Sequence, residues 1–150
     1  MHALSVLQPW ATLIALGLKR IETRSWHTSY RGRLAVHASS RQPPRFYDLC
    51  HGEPFRTMLL RSPWNRPPQG VVLGTVELRD CVRVEELGPD ALTETERAFG
   101  DFSAGRWAWL LADVQPLEQP VPLRGRLGLF EIGFLVDEPP GLSGREVRRG

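Results

Sequence analysis

A chain of 150 residues, 41% hydrophobic and 24% charged, has the size and make-up of one folded domain that needs no metal or disulfide staple. Its net charge of +2 excludes a polycation that binds by bulk charge, and its two cysteines, Cys50 and Cys81, lack CxxC spacing and read as buried thiols rather than a disulfide or a zinc site. No run is long and apolar enough to span a bilayer, and Met1 to Leu7 lacks the pattern of a signal peptide, so a cytoplasmic protein is expected.

Ala3 to Leu7 reads as a short strand. Pro9, then Trp10, Leu13, Ile14 and Leu16 at helical spacing, then Gly17, bracket a helix of about two turns. Ile21 to Trp26 alternates, which sends Ile21, Thr23 and Ser25 one way and Glu22, Arg24 and Trp26 the other. His27 to Arg31 is a turn, and Arg33 to Ala38 is a strand with Leu34, Val36 and Ala38 inward. Residues 41–69 form a less regular insertion, with a helix around Phe46 to Leu60 interrupted near Gly52-Glu53-Pro54 and a stiff loop at Pro63, Pro67 and Pro68 around Trp64. Gly70 to Val84 carries the strongest strand signal. Thr93 to Ala98 is a short helical turn with Thr93 and Glu96 at capping-box spacing. Arg106 to Val114 is a strand, with Trp107 and Trp109 in phase and read as core. Pro116, Pro120 and Pro122 limit the next segment to an edge or a turn. Leu127 to Val136 closes the set. The prediction is therefore an α+β fold, a small β-barrel of about six strands with short flanking helices. One domain spans residues 1–136, and 137–150 read as a flexible tail.

The charge is unevenly placed. Residues 19–45 hold Lys19, Arg20, Arg24, Arg31, Arg33, Arg41 and Arg45 against Glu22 alone, so this stretch carries +6 and the remainder −4. Trp26, Tyr30, His27 and His37 are interleaved with it. Cations that neutralise phosphates and rings that stack on bases suit nucleic acid; a solvated basic edge over core aromatics has the same composition. Lys19 is the only lysine beside 18 arginines. An ammonium can lose its proton when desolvated and a guanidinium effectively cannot, so this position is a candidate for a role that arginine would not fill. Glu22 between Lys19 and Arg24 has the make-up of a binding floor and equally of a surface salt bridge.

Three blocks, Ala3-Leu4-Ser5-Val6-Leu7-Gln8-Pro9-Trp10-Ala11, Gly17-Leu18-Lys19-Arg20-Ile21-Glu22-Thr23-Arg24-Ser25-Trp26 and Tyr30-Arg31-Gly32-Arg33-Leu34, resemble the ASCH domain family, as do Gly74 to Cys81, Phe99-Gly100-Asp101, Gly105 to Trp109 and Arg124-Gly125. The pattern is similar to the ASCH module of eukaryotic transcription coactivators. The resemblance implies a PUA-like β-barrel with a cleft that holds the Gly-x-Lys-x-x-Glu-x-Arg residues. It implies ligands drawn from RNA, single-stranded DNA or modified nucleosides. Some small bacterial members remove the acetyl group from N4-acetylcytidine, with a lysine base, a threonine nucleophile three residues later and a distal glutamate. By position Lys19 matches that lysine, Arg24 the following arginine and Glu96 the distal glutamate. The nucleophile position falls on Glu22, and a carboxylate cannot serve as that alkoxide.

Three functional readings follow. The first is a binding module for RNA or single-stranded DNA, in which Lys19, Arg20, Arg24, Arg31 and Arg33 grip the backbone and Trp10, Trp26 or Tyr30 stacks on a base. The second is a hydrolase, of amidohydrolase or ribonuclease type, acting on RNA or a modified nucleoside, with Lys19 as base, Glu22 as proton shuttle and Glu96 in support. The third is a protein-interaction module. His2, His27, His37 and His51 show no metal-ligand spacing, and no GxSxG, GxxxxGK[ST] or GxGxxG occurs, so neither metal nor cofactor is expected.

Overall fold

Two long strands whose pairing slips three times decide the shape of the molecule. In a computed structural model that describes residues 1–133, β4 (Val71–Arg83) pairs antiparallel with β5 (Trp107–Pro122), and the register shifts between Val72 and Gly74, Thr75 and Glu77, and Leu78 and Asp80. Each slip adds local bend and twist, so the pair curls instead of lying flat. The other strands extend that curl: β1 (His2–Val6), β2 (Ile21–Arg24), β3 (Gly32–Ala38) and β6 (Leu129–Glu131). Among the described residues the sheet has six strands in the order β2-β5-β4-β3-β1-β6, and of their pairings only β1 with β3 is parallel. The result is a curled half-barrel with short helices, an α+β fold.

The helix α1 (Trp10–Ala15) plugs the sheet. It packs against β3, β4 and β5, and every residue from Ala11 to Ala15 is buried. A six-residue helix is too short to be stable alone, so its packing and its ends must hold it. Gln8, itself fully buried, accepts from the Thr12 N–H at 2.9 Å and donates to the Pro68 carbonyl at 2.6 Å. At the other end Gly17 takes φ 74°, a left-handed turn that glycine adopts without steric cost. That turn carries the chain into β2.

The connection between β3 and β4 holds α2 (Phe46–His51) and α3 (Phe55–Leu59), which are separated at Gly52-Glu53-Pro54 as the proline and glycine there predict. Phe55 packs with Leu13 of α1 and Phe99 of α4 (Glu94–Phe99), which ties the insertion to the plug. The core under the sheet is centred on fully buried Trp109, with Leu34, Leu73, Val76 and Leu78. In β2, Ile21 and Thr23 turn inward, as their alternation predicts.

β5 runs past the expected end at Val114 to Pro122, and Pro116, Pro120 and Pro122 lie at an edge, one of the two places expected of them. The strand has a β2 neighbour only from Trp107 to Leu110, so the prolines lie where one side of β5 carries no described partner strand. Trp107 is half-buried under His27 and Arg83, with 4.6 Å to each, while Trp109 alone is fully core. Cys81 is buried but Cys50 only half-buried, and burial pushes both thiols up. The described part of the last strand is Leu129–Glu131; residues 134–136 and the tail expected at 137–150 lie outside the described residues.

Gly74 sits at the first register slip. A Cβ there would lie 2.6 Å from the Gln115 carbonyl oxygen and 2.9 Å from the Pro116 Cα, both backbone atoms that cannot step aside cheaply. Gly74→Ala is expected to cost about 2 kcal/mol of stability. Gly88→Ala, with nothing within 4 Å of the new methyl group, is expected to cost less than about 0.5 kcal/mol. Urea denaturation of the two variants checks this, and equal midpoints would contradict the assignment of the curl to this crossing.

Candidate functional site

The left-handed turn at Gly17 points the Lys19 side chain into the protein. Its side chain is 1% exposed. The ammonium donates to the Ile21 carbonyl and lies 3.9 Å from Glu22 Oε1. A Cβ at Gly100 would come within 3.6 Å of Nζ, so the C-terminal end of α4 closes over the charge. Burial lowers the proton affinity of Lys19, and Glu22 and Glu96 oppose that shift.

Glu96 completes the arrangement in a way its capping-box spacing does not foretell. Thr93 does cap α4, accepting from the Glu96 N–H at 3.0 Å. The Glu96 carboxylate, however, does not reach back to the helix start. It accepts from the backbone N–H of Arg20, at the entrance to β2. Its second oxygen is buried without a hydrogen-bond partner. Burial raises the proton affinity of this carboxyl, against the pull of the Arg20 amide and of Lys19.

From Glu22 the charges continue outward. Arg24 Nε lies 3.4 Å from Glu22 Oε2, and its terminal nitrogen donates to the Ser5 carbonyl at 2.6 Å. Glu96, Lys19, Glu22 and Arg24 thus alternate in sign from the interior to the surface. Glu22 and Arg24 line a cleft of about 480 Å³ with Trp10, Phe55, Phe99 and Arg106. Trp10 donates from Nε1 to the Phe99 carbonyl at 2.5 Å and meets Phe55 edge-on at 6.0 Å. Arg106 donates to the Thr23 carbonyl at 3.1 Å and lies 3.6 Å from Asp101. The cleft therefore has one apolar, aromatic wall from α1, α3 and α4, and one charged wall from β2. Such a floor offers a carboxylate to amino groups, guanidiniums to phosphate or carbonyl oxygens, and flat apolar side chains to a ring.

The remaining predicted residues are not brought together there. Arg20 is exposed and, with Lys19, borders a separate hollow beside Arg79 and Asp113. Trp26 is half-buried, edge-on to Trp109 at 4.8 Å, and its carbonyl accepts from the Trp109 indole. Tyr30, Arg31 and Arg33 lie at the opposite end of β3 from the cleft. Tyr30 packs on His2 at 4.6 Å and donates to the Arg33 carbonyl. Arg31 pairs with Asp80 at 3.2 Å; Arg33 lies 3.9 Å from Glu77 and donates to the Asp113 carbonyl at 2.7 Å.

The cleft walls include residues that the sequence reading passed over: Phe55, Phe99 and Arg106. Phe99 and Arg106 fall within the Phe99 to Trp109 stretch already marked by its similarity to family blocks, and that was the usable signal. Phe55 carried none. A second, larger cavity adjoins the cleft and shares Leu7 and Arg24 with it; Arg41, Arg124 and Arg126 line it.

A family model described as ASCH domain matches residues 4–121. Activating signal cointegrator 1 of Homo sapiens is 37% identical over 146 residues, and its Mus musculus counterpart 36%; each match covers 90% of this chain and 23% of that protein. The chain thus spans about a quarter of the length of these curated relatives. Among solved structures, ASCH from Zymomonas mobilis superposes with a TM-score of 0.52 at 19% identity, covering 86% of this chain and 85% of that one. A variant of the same protein gives 0.51 at 16% identity, over 86% and 87%. At these identities the two structures show a shared fold.

Removing the Lys19 ammonium leaves Glu96 without its buried counter-charge, while Glu22 keeps Arg24. Lys19→Met is expected to cost about 3 kcal/mol near neutral pH. The folded-state proton affinity of Glu96 is already raised, so its stabilising contribution is present at low pH and is lost as pH rises through the folded value. The penalty of Lys19→Met should therefore shrink as the pH falls from neutrality, as the uncompensated carboxyl takes up a proton. Urea denaturation over a descending pH series measures it; a penalty independent of pH would contradict the buried charge pairing.

Proposed function

The chain belongs to the ASCH domain family, and on that footing we propose that it binds single-stranded nucleic acid, RNA or DNA, in the cleft between β2 and the α1–α3–α4 wall. The observation that carries this reading is the state of Arg24. Its guanidinium is held by Glu22 on one side and the Ser5 carbonyl on the other, at the junction of two cavities and opposite the Trp10–Phe55 wall. A cation already fixed in place loses little freedom when a ligand arrives. The cleft is within the size range of small-ligand pockets, and its mixture of one aromatic wall and one ionic wall suits a nucleobase and its attached phosphate. In this reading Lys19 is a positioning residue: it holds Glu22, which holds Arg24.

A hydrolase acting on RNA or on a modified nucleoside such as N4-acetylcytidine is the second reading. The lowered proton affinity of Lys19 favours it, because a base must be able to give up its proton near neutral pH. The enclosure of Nζ, bonded to the Ile21 carbonyl beneath Gly100, favours the positioning role. The two are separable. Binding without turnover supports the first reading; release of acetate from N4-acetylcytidine, or cleavage of the RNA, supports the second.

Fluorescence anisotropy of labelled single-stranded RNA and DNA, over a series of salt concentrations, is the test. The wild type should bind, and its affinity should fall as salt rises. Arg24→Ala should weaken binding about tenfold, the loss of one charge-assisted contact. Arg31→Ala, at the far end of β3, should leave affinity nearly unchanged. Binding that ignores salt, or that responds to Arg31 and not to Arg24, would overturn the proposal.

A further inference from the structure

On the footing of that binding reading, we infer that the larger cavity next to the cleft is a phosphate subsite, which takes the phosphate group joined to the nucleoside in the cleft. The cavity, of about 920 Å³, lies between the ends of β1 and β3 and the connection from β5 to β6. Arg24, Arg41, Arg124 and Arg126 line it, together with the hydroxyl-bearing Ser5 and Ser39, and among the described residues no carboxylate does. Of these four arginines, only Arg24 takes part in an ion pair among the described residues. Guanidiniums gathered round one hollow repel each other, and an anion between them reverses the sign of that interaction. Planar forks on several sides match the oxygens of a phosphate group.

The loop that brings Arg124 and Arg126 is seated by a specific latch. His37, 1% exposed, is hydrogen-bonded to Ser5 Oγ at 2.8 Å through Nδ1 and to the Leu123 carbonyl at 2.6 Å through Nε2. A carbonyl only accepts, so Nε2 carries the hydrogen and Nδ1 of the neutral ring accepts from the Ser5 hydroxyl. Burial lowers the proton affinity of His37, in keeping with that neutral form. The Leu123 N–H is held in turn by the Gly70 carbonyl at 3.0 Å. Gly125 then lies directly on the Ser5–His37 pair: a Cβ there would be 2.7 Å from both Ser5 Oγ and His37 Cε1. The arginines on either side of Gly125 are aimed by this seat. Because Arg24 and Leu7 border both hollows, a base in the cleft has its phosphate within reach of the cavity.

The phosphate can be an internal diester or a terminal monoester, and the test separates the two. Single-stranded oligonucleotides of one sequence, labelled at the 3′ end and carrying either a 5′-phosphate or a 5′-hydroxyl, are titrated with the full chain over a range of salt. Arg124→Gln with Arg126→Gln should reduce affinity at least about tenfold and flatten the slope of log K against log salt by about 0.7, the share of one phosphate contact on a single strand. Gly125→Ala, which removes no charge, should also weaken binding by displacing the loop. Arg56→Gln with Arg61→Gln, the same charge change at exposed positions of the insertion, should leave both affinity and slope near wild type. A wild-type preference for the 5′-phosphate that vanishes in the loop variant assigns a monoester; equal binding of the two oligonucleotides, with the loop effect intact, assigns a diester. Wild-type affinity and slope in the loop variant, or an equal loss in the Arg56 and Arg61 control, would overturn the subsite while leaving the binding reading standing. A wild type that binds neither oligonucleotide at low salt would overturn both.

Discussion

One buried ammonium organises the working end of this protein. Lys19 enters the interior between two carboxylates and a backbone carbonyl, and these partners come from two pieces of structure: Glu22 and Ile21 from β2, Glu96 from α4. A charge taken out of water is costly unless it is matched. The elements that match it are therefore held at fixed distances from one another. Glu96 reinforces the tie by accepting from the Arg20 amide, so α4 is fastened to the entrance of β2 by a hydrogen bond as well as by charge. The solitary lysine of the sequence stands at a position where a longer, forked guanidinium would have to displace Gly100 or leave donors unsatisfied.

The consequences run outward along the chain of alternating charges. Lys19 fixes Glu22, Glu22 fixes Arg24, and Arg24 also reaches the Ser5 carbonyl of β1. Arg24 is thereby the hinge-pin between the cleft and the arginine-lined cavity. The aromatic wall opposite it depends on a separate set of contacts, the Leu13–Phe55–Phe99 cluster, which brings the insertion up to the plug helix. Ionic and apolar walls thus have independent supports. Damage to one should leave the other recognisable.

Much of the fold was legible because its signals are local. Proline before Trp10 and Gly17 behind Leu16 mark α1, alternation marks β2, and Gly52-Glu53-Pro54 divides the insertion helices. The placing of Lys19, Glu22 and Arg24 on one path followed from alternation over a few residues. What was not legible depends on distant segments meeting. Glu96 carries a familiar capping spacing, yet its carboxylate serves Arg20, a residue in another element. Tyr30, Arg31 and Arg33 read as part of a single basic patch because they are near Lys19 in sequence, but β3 runs them to the far end of the sheet, against Asp80 and Glu77. Arg124 and Arg126 come beside Arg24 and Arg41 only because a long, slipping β4–β5 pair curls the chain back. Neither the register slips nor the loop seat at Gly125 has a signature that a few neighbouring residues could display.

The most direct measurement is heteronuclear NMR of the arginine side-chain Nε–Hε groups during titration with a short single-stranded oligonucleotide. The resonance of Arg24 should shift as ligand is added, while those of Arg31 and Arg33, at the other end of β3, stay in place. Shifts confined to Arg31 and Arg33, with Arg24 unmoved at saturation, would contradict the assignment of the ligand site to the cleft that Lys19 supports.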